Sequence, residues 1–233
     1  MHFHIITIFP DIFNSYLNES IIGRAFKNKL LSVKFYNPRD FVKAKNKNGY
    51  KPVDDKPYGG GPGMVMRAEP ILKAFESALR KIKNYELRIK KNKSKVLVIN
   101  FIPSAEKFTT ILAKKIKKNY SDIILICGRY EGIDARVEKI IKNQKLEIKN
   151  LSIGDYVLTG GELPAMVLID SISRQIQGVL GKYESLEEER VSSSEFYTRP
   201  EILKYKNKNY KVPKVLLSGN HAKIEEWKKS KNP

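Results

Sequence analysis

The segment from Ser152 to Pro164 combines residue types that could hold a ligand through the protein backbone. It reads Ser-Ile-Gly-Asp-Tyr-Val-Leu-Thr-Gly-Gly-Glu-Leu-Pro, with three glycines and two carboxylates between apolar residues. Glycine allows a ligand to approach the backbone closely, so that backbone N–H groups become the contacts. The pair Gly160 and Gly161, shortly before the proline, also indicates a tight loop that opens a helix at Leu163. The pattern therefore predicts either a ligand-binding loop or a plain turn between a strand and a helix.

Two further segments carry glycine clusters with charged and aromatic residues. Residues 54–64 read Asp-Asp-Lys-Pro-Tyr-Gly-Gly-Gly-Pro-Gly-Met, and residues 128–134 read Gly-Arg-Tyr-Glu-Gly-Ile-Asp. The sequence contains neither a Gly-x-Gly-x-x-Gly after a strand nor a Gly-x-x-x-x-Gly-Lys-[Ser/Thr], which argues against a dinucleotide site and a P-loop. Three histidines and one cysteine do not make a usual zinc site.

Predicted strands alternate with predicted helices along the chain. The strands are expected over residues 4–9, 96–101, 123–127 and 146–149. The helices are expected over residues 21–30, from Pro70, from an N-cap at Ser104 with Phe108, Ile111, Leu112 and Ile116 facing inward, and from Leu163. This alternation predicts an α/β fold with a parallel sheet covered by helices. The three glycine clusters follow or border strands, where ligands bind in such sheets.

Composition indicates a globular protein with a polyanionic partner. The chain has 233 residues, a hydrophobic content of 41% and a net charge of +19. Such a charge favours nucleic acid, although lysines that sit beside asparagines, as in residues 45–48 and 206–209, are also typical of an AT-rich genome. No apolar run approaches the roughly 18 residues of a membrane span. No secretory signal is visible, and the single Cys127, expected in the core, fits a reducing cytosol. We therefore expect a cytoplasmic protein with no membrane partner.

The glycine clusters, together with Phe9-Pro10 and residues 197–200 (Tyr-Thr-Arg-Pro), resemble the bacterial tRNA (guanine-N1)-methyltransferases. This family belongs to the SPOUT class of S-adenosylmethionine-dependent enzymes, whose cofactor site is a trefoil knot. The resemblance runs from residue 1 to about Trp227, with the motifs in the order of the family. Further matching motifs are Gly23-Arg24-Ala25, Pro38-Arg39-Asp40-Phe41 and Val215-Leu216-Leu217-Ser218-Gly219.

The resemblance implies a domain organisation and an activity. It implies a knotted α/β methyltransferase domain over 1–180, a linker over 181–196 and a short, mainly helical C-terminal tRNA-binding domain over 197–233. The implied reaction transfers a methyl group from S-adenosylmethionine to N1 of the guanosine immediately 3′ of the anticodon in tRNA, catalysed by a homodimer. Two alternatives are a SPOUT enzyme for another RNA nucleotide, which the complete motif 54–64 argues against, and a non-catalytic or weakened RNA-binding relic.

The resemblance assigns the cofactor site residue by residue. The implied cofactor-binding residues are Pro103, Gly128, Tyr130, Glu131, Ser152, Ile153, Gly154, Asp155, Tyr156, Val157, Leu158, Gly160, Gly161 and Pro164. Core packing is the alternative interpretation of Ile153, Val157 and Leu158. The segment 101–105 departs from the family pattern of Leu-Ser-Pro-Gln-Gly, because Ala105 replaces the glycine. We expect this change to weaken cofactor affinity.

Methylation of guanine N1 requires a general base and a nearby cation, because N1 of neutral guanine carries a proton. The resemblance makes Arg174 the cation. Its spacing of four from Asp170 also suits an ordinary ion pair within a helix.

Glu189 stands at the position of the family's catalytic aspartate and is the implied base, with Arg190 in place of a serine. A solvated acidic run over 187–189 is the alternative. Glu131 could supply a carboxylate instead, through the magnesium ion that the family uses. The implied substrate-binding residues are Asp54, Asp55, Tyr58 and Arg199.

Overall fold

The central sheet of the protein consists of five parallel strands. In the computed structural model, residues 1–89, 95–181 and 193–231 are described, and contacts divide the chain into two units, Met1–Val179 and Leu180–Pro233. The strands of the first unit are β1 (His2–Ile6), β2 (Ser32–Tyr36), β3 (Asp54–Asp55), β4 (Val65–Met66), β5 (Val96–Lys107), β6 (Asp122–Ile126) and β7 (Glu147–Ser152). The parallel sheet has the order β2-β1-β6-β5-β7, while β3 and β4 form a separate antiparallel pair. The predicted parallel α/β architecture is confirmed.

Helices cover both faces of the parallel sheet. They are α1 (Asn14–Leu17), α2 (Ser20–Lys27), α3 (Ala68–Ile89), α4 (Thr110–Asn119), α5 (Arg136–Asn143) and α6 (Glu162–Arg174). Alternate residues of the strands enter two apolar cores, one shared with α3 and α5 and the other with α1, α2, α4 and α6. All five residues of β6 are buried, as expected for a central strand covered on both faces. None of the described helices combines the length and apolar character that crossing a membrane requires.

The predicted helix start at Ser104 is wrong, because β5 continues to Lys107. Phe101 and Glu106 both pair with Leu151, so the intervening residues form a bulge in the strand. The helix begins instead after Thr109, whose side chain accepts a hydrogen bond from the Leu112 backbone N–H at 3.3 Å. Ser104 and Thr109 are both residue types that favour the N-cap position. Because Glu106 and Lys107 pair with β7, the helix cannot start until after Thr109.

The inward face predicted for α4 is correct only in part. Ile116 is fully buried, but Ile111, predicted to face the core, is 80% exposed. The helix starts after Thr109 rather than at Ser104, and it packs against α6. This packing determines which side chains of α4 face inward.

The second unit contains a hairpin that sequence patterns did not predict. Strands β8 (Ile202–Tyr205) and β9 (Lys208–Lys211) pair antiparallel and are followed by α7 (Lys214–Leu217) and α8 (His221–Ser230). The two turn residues, Lys206 and Asn207, have positive φ angles of 44° and 57°. Lysine is an unusual residue for that conformation, so the turn has a weak sequence signal. Most of the predicted linker 181–196 lies outside the described residues, and the predicted domain boundaries stay predictions.

A buried polar cluster joins three neighbouring strands. Asp122, 4% exposed, has its Oδ1 at 3.3 Å from Nε2 of His4 and accepts a hydrogen bond from Ser121 at Oδ2 (2.8 Å). The other ring nitrogen of His4 lies 2.9 Å from the Tyr36 hydroxyl. Burial alone would raise the pKa of Asp122, but hydrogen bonds from His4 and Ser121 outweigh burial and hold that pKa below its ordinary value.

The variant Asp122→Asn should lower the free energy of unfolding by about 2 kcal/mol at pH 7, because it removes a charged partner from buried hydrogen bonds. The pKa of Asp122 is lowered on folding, so its contribution is complete above the unfolded-state pKa of about 4 and is lost as the pH falls through the folded-state pKa. Urea unfolding should therefore show a smaller difference between variant and wild type at pH 3 than at pH 7. An equal difference at both pH values would contradict this. Glu69→Gln, at an exposed carboxylate, is the control.

Candidate active site

The carboxyl ends of β5, β6 and β7 frame a cavity of about 390 Å³. Its walls come from residues 100–103 of β5, 128–133 after β6, and 151–153, 156–161 and 164 at and after β7. The size is within the range of small-molecule sites, and the position is where open parallel sheets bind ligands.

The cavity gathers twelve of the fourteen residues that the sequence resemblance assigns to the cofactor. The two exceptions are Gly154 and Asp155, which do not line it. Asp155 is exposed and pairs with Lys107 at the end of β5. Gly154 lies against the ring of Tyr156, where a Cβ would approach within 2.3 Å of the ring.

The chain after β7 crosses the end of β5 to reach the loop that follows β6. Gly160 and Arg129 form an antiparallel bridge, and the Gly161 N–H donates a hydrogen bond to the Gly128 carbonyl at 2.9 Å. A Cβ on Gly161 would lie 2.7 Å from the Cα of Cys127. Only glycine therefore allows these two walls of the cavity to approach so closely.

A buried ion pair stands behind these walls, and sequence reasoning missed both of its members. The Nε of Arg129 lies 3.0 Å from Oε2 of Glu162, whose side chain is 2% exposed. The other carboxylate oxygen of Glu162 accepts a hydrogen bond from the Thr7 hydroxyl at 2.8 Å. The available sequence signal was a glutamate that immediately follows the glycine pair and precedes an apolar helix.

The segment Asp54–Met64 is attached to the cavity through Tyr130 and Glu131. The phenol of Tyr130 lies beside Asp54, and burial, followed by this carboxylate, raises the pKa of Tyr130. The backbone N–H of Glu131 donates to the Met64 carbonyl at 3.0 Å. The Glu131 side chain rests on Gly63, where a Cβ would be 2.4 Å from its Oε1. The glycine-rich segment therefore packs directly against two residues of the cavity wall.

The predicted substrate residues occupy different surroundings. Asp54 and Asp55 line a second cleft of about 640 Å³, whose basic residues are Lys43, Lys45, Arg67 and Lys73. Tyr58 is fully exposed. Arg199 is an exposed residue of the second unit.

Arg174 is the last residue of α6, whereas the start of that helix borders the cavity. It follows Glu162 by twelve residues, which at about 1.5 Å per residue places it ~18 Å away along the helix axis. Half-buried Arg174 does not line the cavity of its own chain. Its neighbour Asp170 accepts a hydrogen bond from Tyr16, and burial together with this bond raises the pKa of Tyr16 to about 12.

Two of the remaining predicted features have no position in the described structure. Glu189 lies outside the described residues. Within the described ranges, no group of three or more His, Cys, Asp or Glu side chains could hold a metal ion. We therefore derive no chemical step through magnesium.

Comparison with known proteins agrees with the family that the motifs resemble. The family model described as tRNA (Guanine-1)-methyltransferase TrmD matches residues 1–233. The tRNA (guanine-N(1)-)-methyltransferase of Clostridioides difficile is 44% identical over 236 residues, covering 100% of this chain and 92% of the relative. The enzyme of the same name from Buchnera aphidicola subsp. Acyrthosiphon pisum is 47% identical over 230 residues, covering 97% of this chain and 87% of the relative. The chain belongs to the tRNA (guanine-1)-methyltransferase family.

Proposed function

We propose that this protein transfers a methyl group from S-adenosylmethionine to N1 of the guanosine immediately 3′ of the anticodon in tRNA. The observation that carries the proposal is the meeting of two glycine-bearing segments, after β6 and after β7, with residues 100–103 of β5 at one cavity. Full-length membership of the methyltransferase family gives this cavity its chemical interpretation.

The cavity suits S-adenosylmethionine because glycines and apolar residues share its wall. Gly128, Gly160 and Gly161 place no side chain there, and apolar side chains such as Ile153 and Leu158 provide a slot for a flat base. The bound cofactor supplies an electrophilic methyl group on a sulfonium sulfur. The chain has to hold it, exclude water and present guanine N1 in line with the methyl–sulfur bond.

Acid–base chemistry at the guanine is assigned to residues outside the cavity wall. We propose that Glu189 removes the N1 proton, and that the Arg174 guanidinium stabilises the negative charge that spreads to the exocyclic oxygen. Glu131, exposed on the cavity rim, is the alternative carboxylate.

The position of Arg174 supports a homodimeric enzyme. Arg174 lies about 15 Å along α6 from Pro164, which lines the cavity, and an extended arginine side chain spans only about 7 Å, so Arg174 cannot reach a guanine at that cavity. We propose that Arg174 of one subunit completes the site of the other, as closed twofold symmetry allows.

We further propose a trefoil knot at the cofactor site, a cytoplasmic location and RNA contacts in the C-terminal domain. The crossing of the chain after β7 over the end of β5 supports a trefoil knot at the cofactor site. We also propose a linker over 181–196 and a short C-terminal domain over 197–233 that binds tRNA. Its exposed hairpin carries Lys204, Lys208 and Lys211, which suit phosphate contacts. A cytoplasmic location fits a tRNA substrate.

The test is incubation of the purified protein with radiolabelled S-adenosylmethionine and unmodified tRNA transcripts that differ only in the nucleotide after the anticodon. We expect label in the guanosine transcript and none in the adenosine transcript. Equal labelling of both would indicate another RNA nucleotide as the target. Cofactor binding without any transfer would favour the RNA-binding relic.

The variant Gly161→Ala should raise the Kd for S-adenosylmethionine about 100-fold. Its Cβ would lie 2.7 Å from the Cys127 backbone, so the two loops that form the cavity have to separate. Misplacements of about 1 Å commonly cost about 10²-fold at such sites. Isothermal titration measures the effect, and Gly181→Ala is the control, because nothing lies within 4 Å of its Cβ. Unchanged affinity would show that the close contact of the loops is not needed for the cofactor.

A further inference from the structure

The first residue of α6 is a carboxylate with an unusual environment. Glu162 is 2% exposed and contacts Thr7 at the end of β1 and Arg129 in the loop after β6. Burial of a carboxylate costs free energy unless the charge is paired, so the partners of Glu162 indicate why it is buried here. Only the arginine among these partners carries a charge.

Arg129 is held in a fixed place at the cavity wall. Its guanidinium stacks over the ring of Phe9 at 4.8 Å, and Nη1 donates a hydrogen bond to the Thr159 carbonyl at 3.3 Å. The side chain is 19% exposed and lines the cavity. An arginine does not lose its proton in proteins, so a full positive charge stands at this wall.

The contact between Arg129 and Glu162 is electrostatic more than directional. Although Nε and Oε2 are 3.0 Å apart, neither atom has a hydrogen-bond partner with suitable angles among the described residues. A contact of this kind contributes little as a hydrogen bond, but it places a negative charge directly against the guanidinium. The consequence of the pair is therefore the cancellation of charge behind the cavity.

Charge cancellation matters because of the ligand proposed for this cavity. The sulfur of S-adenosylmethionine is a sulfonium cation, whereas the sulfur of the product, S-adenosylhomocysteine, is neutral. Arg129 lines the cavity of about 390 Å³, so a sulfonium bound there shares a wall with the guanidinium and is screened less than in bulk water. In this partly buried site, an uncompensated arginine would repel the substrate and leave the product unaffected.

We propose that Glu162 is a positioning residue that neutralises Arg129, so that the cavity accepts a cationic methyl donor without favouring the neutral product. Arg129 in turn joins the loop after β6 to the loop after β7 through Thr159, and its guanidinium packs on Phe9 after β1. Pairing with Glu162 therefore lets Arg129 keep these contacts without repelling the sulfonium of the methyl donor. The inference rests on the function proposed above.

The test compares the Kd values of the two ligands in charge variants. Glu162→Gln, which keeps the shape and removes the charge, should raise the ratio of Kd for S-adenosylmethionine to Kd for S-adenosylhomocysteine about tenfold. The double variant Arg129→Gln/Glu162→Gln should return the ratio to the wild-type value. Thr7→Val removes the other contact of the carboxylate without changing any charge, so it should alter both Kd values by the same factor.

Each outcome decides between distinct explanations. If Glu162 has a purely structural role, Glu162→Gln should raise both Kd values equally. That result would overturn the inference while leaving the proposed function intact. Wild-type protein that binds neither ligand would instead contradict the proposed function. If circular dichroism shows that Glu162→Gln does not fold, Glu162→Asp, which withdraws the charge by one methylene, should raise the same ratio about twofold. An unchanged ratio there would also overturn the inference.

Discussion

Replacing Arg174 with alanine should lower kcat for methyl transfer about 10³-fold without changing the Kd of S-adenosylmethionine. Loss of one preorganised group that stabilises a developing negative charge commonly costs this much. The cofactor Kd should not change, because Arg174 does not line the cavity of its own chain. Single-turnover rates and isothermal titration separate the two quantities. Arg80→Ala, at an exposed arginine of α3, is the control and should match wild type.

Mixing Arg174→Ala with Gly161→Ala tests whether Arg174 acts across a dimer, when S-adenosylmethionine is kept near the wild-type Kd so that the Gly161→Ala cavity stays nearly empty. An Arg174→Ala subunit keeps an intact cavity, and a Gly161→Ala subunit keeps an intact arginine. If each site combines both subunits, half of randomly mixed dimers carry one intact site, so the mixture should recover about a quarter of the wild-type activity. Equal cofactor-dependent activity of Arg174→Ala and wild type, or no recovery on mixing, would contradict the shared site.

Replacing Glu189 with alanine should lower kcat about 10²-fold or more, because a positioned general base commonly contributes 10²- to 10⁴-fold. The neighbouring variant Glu188→Ala is a matched control from the same acidic run, and its activity should stay near that of wild type. Glu189→Asp restores the residue type of the family, so it should retain activity. Equal, small losses for both alanine variants would favour a solvated acidic run and move the base to Glu131.

Two of the three glycine clusters coincide with walls of the cavity, because glycine is tied to backbone geometry. Gly161 is required where one backbone passes within van der Waals distance of another, and Gly63 is required beneath Glu131. Such demands are local, so they remain visible in the sequence. The strand and helix periods then place the clusters after β6 and β7 at one sheet edge, since parallel strands end on the same side. The cluster 54–64 instead lies on the separate β3–β4 pair and contacts the cavity rim at Glu131.

Contacts between distant parts of the chain were less predictable. The pairing of Glu162 with Arg129 and Thr7 depends on how the loops after β1, β6 and β7 meet, and no residue spacing encodes that. The extension of β5 past Ser104 likewise depends on pairing with β7. The distance of Arg174 from the start of α6 can be predicted from helix length. That the distance separates Arg174 from the cavity could not be predicted, because it depends on where the cavity lies.

Nucleoside analysis of the methylated tRNA tests the central claim most directly. After reaction of the guanosine transcript with labelled S-adenosylmethionine, the RNA is digested and the nucleosides are separated and identified by mass spectrometry. The account predicts 1-methylguanosine as the labelled product, with about one methyl group per tRNA at saturation. Label in N2-methylguanosine, 7-methylguanosine or a 2′-O-methylated nucleoside would contradict it.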